Sequence, residues 1–126
     1  MARKRSQEKR RHPRVARRVP VRSRLDPDEP LEMESLNLSL EGLYCTTSRF
    51  VPVMTKLRIT LDLPPPPARN PTARGRIEAD AVVVRAEPGT AAETGKYRLA
   101  LFFSGMDRED RIRLAEFLDR ERKSAG

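Results

Sequence analysis

Apolar residues in this chain follow two periods, and the switch between them divides it. From Lys56 to Leu63 they alternate strictly: Leu57, Ile59, Leu61 and Leu63 share one side, while Arg58, Thr60 and Asp62 share the other. Period two is the mark of a half-buried strand. Val15 to Leu25 carries Val15, Val19 and Val21 in the same phase, and Pro20 inside it places that strand at an edge or a bend. Leu31 to Leu38 and Gly42 to Thr47 read as two further strands, separated by Ser39-Leu40-Glu41. Arg76 to Ala86 and Lys96 to Ser104 form another pair, in which Val82, Val83 and Val84 predict burial on both faces. After Asp107 the period lengthens. Ile112, Leu114, Ala115, Phe117 and Leu118 make a helical stripe running to Arg122, with Asp107 placed as the N-cap and Asp110 three residues on.

The breaks between these elements are equally marked. Asp26-Pro27-Asp28-Glu29-Pro30 is a turn by composition. Pro64 to Pro67 must end its strand, because proline donates nothing to a ladder, and it predicts a stiff loop. Gly89 to Gly95 joins the last two strands. About six short strands followed by one helix, without βαβ alternation, predict a mostly β fold. The expected form is a small six-stranded antiparallel β-barrel or sandwich with a C-terminal α-helix packed on it.

With 126 residues the chain has room for one modest core. The expected division is a flexible basic arm at residues 1–9, one domain over 10–122 and a fraying tail at 123–126. No apolar run is long enough for a membrane span, and no signal-peptide pattern opens the sequence. Cys45, the only cysteine, sits in an apolar stretch and reads as a buried thiol; a reduced, cytoplasmic setting is the expectation. His12 is the only histidine, so neither a metal site nor a histidine-based triad can be assembled around it. With no glycine-rich phosphate loop either, no enzyme and no cofactor are expected.

Charge changes the picture more than size does. The net charge is +8, yet Met1 to Arg24 holds eleven Lys or Arg against Glu8 alone, which leaves the rest close to neutral. An arm of this kind repels itself, starts out disordered and attracts phosphates. A nucleic acid, an anionic membrane and a phosphorylated small molecule all fit that description. Few aromatic residues and no Trp argue against single-stranded nucleic acid, which is bound by stacking.

Two constellations carry the binding chemistry. The first is Arg10-Arg11-His12-Pro13-Arg14. Pro13 holds His12 extended, and in an extended segment Arg10 and Arg14 point to one side with stems about 13 Å apart. Guanidinium binds phosphate or a guanine edge in bidentate fashion and stacks on bases. A solvated basic tail has the same composition. The second constellation is Asn37-Leu38-Ser39-Leu40-Glu41-Gly42, a tight connection between strands. Asn37 and Ser39 suit a base edge or a turn equally, and Gly42 supplies a backbone angle or a close approach. A plain hairpin turn explains it as well.

Arg-x-x-x-Arg followed by Asn-x-Ser-x-x-Gly at the end of the second strand resembles the PilZ family. The likeness extends to Arg-His-Pro-Arg-Val, to Asn-Leu-Ser-Leu-Glu-Gly-Leu-Tyr, and to a late Arg-Leu-Ala-Leu-Phe-Phe strand before the helix, over roughly residues 9 to 120. The resemblance implies a PilZ β-barrel that binds cyclic di-GMP through Arg10, Arg11, Arg14, Asn37, Ser39 and Gly42. It implies a bacterial second-messenger receptor that signals to a partner protein through a ligand-induced change. Asn37 stands where Asp is commoner in the family. Lys9, just before the first arginine, holds a position that often influences whether one or two ligands bind. A PilZ-like adaptor that binds partner proteins and little nucleotide is the alternative. At Gly42, valine is expected to impair binding and leave a β-rich domain folded.

Overall fold

The computed structural model describes residues 15–26, 29–64 and 75–125. Six strands appear in it: β1 (Pro20–Asp26), β2 (Glu29–Leu38), β3 (Gly42–Thr47), β4 (Lys56–Asp62), β5 (Arg76–Pro88) and β6 (Tyr97–Met106). A helix, α1, follows over Arg108–Ala125. All strand pairs are antiparallel, and they close into a barrel in the order β1-β2-β3-β6-β5-β4. Closure leaves no edge strand, which removes the unpaired N–H and C=O groups that an open sheet exposes.

The alternation read in the sequence fixes which side chains go inside. Leu57, Ile59 and Leu61 of β4 point into the barrel with Ile77, Ala79 and Ala81 of β5, while Arg58, Glu78 and Asp80 face out. Cys45 is fully buried beside Met33, as the sequence predicts, and burial pushes its thiol up to about 12. Leu114, Phe117 and Leu118 of α1 complete the core. The start of α1 is tied to β5, where the Glu78 N–H donates to Asp110 Oδ2 at 3.1 Å. Asp110 therefore serves the helix–barrel junction, while the Asp107 carbonyl accepts the helix-opening bond from Arg111 N–H.

Four expectations are corrected. The strand predicted from Val15 begins only at Pro20, and Val15 instead makes an isolated bridge to Leu38. The reason lies at Val19, whose N–H bonds a serine hydroxyl rather than a strand, followed by a proline with no N–H at all. Pro20 is accordingly neither at an edge nor at a bend; it is the first residue of its strand, where the missing donor is tolerated. Val84 is 51% exposed, because the alternation that buries Ile77, Ala79, Ala81 and Val83 puts it on the outer face. Finally, α1 continues past Arg122 to Ala125 rather than releasing a tail at Lys123. Asp119 pairs with both Arg122 and Lys123 there, and basic groups in a last turn suit the helix dipole.

Candidate functional site: the connection between β2 and β3

The end of β2 is shaped by a bulge. Leu31, Met33 and Ser35 face inward, and the register with β3 then shifts between Ser35 and Asn37. The extra residue, Leu36, resets the phase, so that Leu38 is the next residue to be buried while Leu36 and Asn37 are only half-buried. A bulge of this kind re-aims a side chain. Here it turns Asn37 away from the core.

Beyond Leu38 the chain reverses through Ser39-Leu40-Glu41. The Ser39 N–H donates to the Gly42 carbonyl at 2.9 Å, and the Glu41 N–H donates to Ser39 Oγ at 3.1 Å. The Ser39 hydroxyl donates in turn to the Gly42 carbonyl at 3.3 Å. Ser39 is 1% exposed, so its side chain closes the turn from inside. Gly42 is required by a close approach. A Cβ at that position would stand 2.0 Å from the Leu101 carbonyl oxygen of β6.

Val15, the residue after the first motif, is tied to the second. Its N–H donates to the Leu38 carbonyl at 2.8 Å, and the Leu38 N–H donates back to the Val15 carbonyl at 2.9 Å. Arg14 is the residue before Val15, and Leu38 lies between Asn37 and Ser39. Val15 therefore meets the barrel within the Asn-x-Ser-x-x-Gly connection. Arg10, Arg11 and Arg14 themselves lie outside the described residues.

Two neighbours escaped the sequence reading. Tyr44 registers with Asn37 on one side and Ala100 on the other, and its hydroxyl donates to Glu87 Oε2 at 3.2 Å. Its signal was the step from Gly42 along a strand of known phase. Ser35 is fully buried at the inward position after Leu31 and Met33. Its signal was a hydroxyl in the apolar phase of an alternating strand.

A second concavity, on the outer side of β1, β2, β4 and β5, measures about 550 Å³ and is lined by Arg22, Arg58 and Arg76 among others. Those arginines are engaged locally, Arg22 and Arg76 with Asp62, and Arg58 with Glu78 and Asp80. Among the described residues no group of His, Cys, Asp or Glu is arranged to hold a metal ion. No described helix is long and apolar enough to cross a membrane.

The family model of the PilZ domain matches residues 8–120. No curated protein sequence matches the chain. Among solved structures it is similar to the inhibitor of motility MotI/DgrA of Bacillus subtilis, at 21% identity and a TM-score of 0.71, covering 90% of this chain and 51% of that one. It is similar to the PilZ domain of YcgR from Escherichia coli with c-di-GMP, at 15% identity and a TM-score of 0.69, covering 92% and 93%. It is also similar to MrkH of K. pneumonia in complex with c-di-GMP, at 21% identity and a TM-score of 0.73, covering 92% and 53%. The chain spans about half the length of MotI and of MrkH. At these identities the likeness is one of fold.

Proposed function

The chain belongs to the PilZ domain family, and from that premise we propose that it is a cyclic di-GMP receptor that acts by binding, without chemistry of its own. The observation that carries this reading is the Val15–Leu38 bridge. It sets Val15, the residue after the Arg-x-x-x-Arg segment, against Leu38 of the Asn-x-Ser-x-x-Gly turn, which supports a reading in which cations for the phosphates and an amide for a base edge come from two distant parts of the sequence. Arg10 and Arg14, aided by Arg11, grip the phosphates and guanines from the arm. Asn37 reads a base edge, Ser39 holds the turn that presents it, and Gly42 lets that turn lie close to β6. Two of the structures sharing the fold were determined with c-di-GMP. The output is a surface composed of arm, nucleotide and barrel, which a partner protein in the cytoplasm recognises.

Titration calorimetry with cyclic di-GMP tests this. The parent is expected to bind, and Arg14→Ala and Arg10→Ala are each expected to lose roughly ten- to a hundredfold in affinity, since a charge-assisted contact is worth about 1.5–3 kcal/mol. Cyclic di-AMP is expected to bind more weakly at moderate salt, where base reading persists and simple attraction to polyanions fades. If the parent shows no heat of binding, the adaptor reading takes its place. If the arginine variants titrate like the parent, the site is elsewhere.

A further inference from the structure

Ser35 occupies a position that the pattern of β2 reserves for an apolar side chain. It follows Leu31 and Met33 in the inward phase and is fully buried. Its hydroxyl is nevertheless fully used. Ser35 Oγ accepts from the Val19 N–H at 2.9 Å and donates to the Arg17 carbonyl. The Ser35 N–H donates to the Val19 carbonyl at 3.0 Å. Three bonds from one residue thus fix Arg17 and Val19.

This stretch is also held by the buried side chains of Val15 and Val19, by the Arg17 N–H bond to the Val15 carbonyl at 3.0 Å and by an exposed Arg18–Glu34 ion pair, but not by a strand ladder. Residues 16–19 belong to no strand, and Pro20 has no N–H. The segment that leads to the arginines is pinned at Val15 by the Leu38 bridge and at Arg17 and Val19 by Ser35. An ion pair from Arg17 to Glu121 of α1, at 3.1 Å, adds a partly exposed contact of little weight. An alanine at position 35 would leave the Val19 N–H and the Arg17 carbonyl without partners in a buried place, and such groups turn to water when they can. Releasing them would loosen residues 17–19, next to the Val15–Leu38 bridge from which the arginine segment leads.

We propose that Ser35 is a positioning residue for ligand recognition: it holds the root of the arginine segment so that Arg14 and Arg10 are delivered to the β2–β3 connection. This rests on the cyclic di-GMP reading above. Ser35 touches no ligand in this scheme. It acts through residues 17–19, and a ligand that needs the arm in one place must restore that path before it can bind.

The test compares two buried serines of β1 and β2. Ser23 Oγ donates to the Arg58 carbonyl at 2.8 Å, across the β1–β4 seam. Its loss is a structural control. Cyclic di-GMP is titrated into the parent, Ser35→Ala, Ser23→Ala and Ser35→Thr, well below each melting temperature. Ser35→Ala is expected to lose about tenfold in affinity or more, Ser23→Ala to bind like the parent although less stable, and Ser35→Thr to recover most of the loss. Equal affinity for Ser35→Ala and parent overturns the proposal and leaves the receptor reading standing, as does an equal loss in Ser23→Ala. A parent that does not bind overturns both. Should Ser35→Ala fail to fold, amide exchange in the parent decides. Ligand is expected to slow exchange at Val19 and Val15 but not at Ile59, because coupling between the ligand and the clamp is reciprocal; a Val19 amide indifferent to ligand overturns it.

Discussion

Gly42 and Ser39 belong to one sequence motif, yet the structure gives them different work. At Gly42 the nearest obstacle to a side chain is main chain: the Leu101 carbonyl oxygen would lie 2.0 Å from a Cβ, and Phe102 Cα 3.2 Å. A backbone oxygen between paired strands cannot swing aside, so β3 and β6 must part. Gly42→Ala is expected to destabilise the barrel by about 1–3 kcal/mol, the range for overpacked cores, and Gly42→Val by more. Urea denaturation followed by circular dichroism measures it. This revises the expectation that valine there leaves a well-folded domain: an unchanged midpoint for Gly42→Ala would return Gly42 to a purely ligand-facing role. Ser39, by contrast, spends its hydroxyl within the turn. The sequence named a donor at a tight connection but not its direction, because residue type says what a side chain can bond and only the folded turn says which way it points. Asn37 points out of the core because of a bulge one residue earlier, and no local pattern announces a bulge.

Elements built on alternation were legible; their irregularities were not. Leu57, Ile59 and Leu61 are buried as read, since a period-two run has one way to satisfy a barrel core. Val84 misled because three consecutive valines look alike, whether both faces are covered or one is open to solvent. The late start of β1 depended on Ser35, sixteen residues away from Val19, and a pairing of that kind is invisible to a local window. The loop between β5 and β6 shows a local device that was also missed. Glu93 accepts from Arg98 Nε at 3.0 Å and from the Thr90 N–H at 2.9 Å. The Arg98 bonds, aided by the Thr90 N–H, hold its carboxyl down at about 2 against the ordinary 4.5. With the folded value depressed, the contribution to loop order is complete above the unfolded value and is lost as pH falls through the folded one. The Thr90 amide resonance is expected to stay constant down through pH 4.5 and to titrate only near pH 2. A transition near 4.5 would show that the carboxylate is not held by Arg98 in solution.

At the scale of the whole molecule, the proposed function gives stability and recognition to different parts of the chain. The closed barrel and α1 hold the buried core from Val15 to Leu118. The arginines proposed to meet the ligand precede it in sequence. Removing residues 1–14 should therefore leave the melting temperature of the free protein nearly unchanged, because the core side chains among the described residues are all kept. The response to ligand should behave otherwise. A ligand that binds only the folded protein stabilises it by RT ln(1 + [L]/Kd), about 2.7 kcal/mol at a hundredfold excess over Kd. For a domain of this size that is a rise of roughly 8–15 °C in melting temperature. The parent is expected to show that rise with cyclic di-GMP, and the shortened chain to show none at the same concentration, since Asn37 alone cannot balance a dianion. Differential scanning calorimetry of both proteins, with and without ligand, separates the cases. A shortened chain that melts earlier without ligand would make residues 1–14 part of the folded core's support. One that still gains several degrees with ligand would place the phosphate-binding groups on the barrel, and the Arg-x-x-x-Arg segment would lose its role.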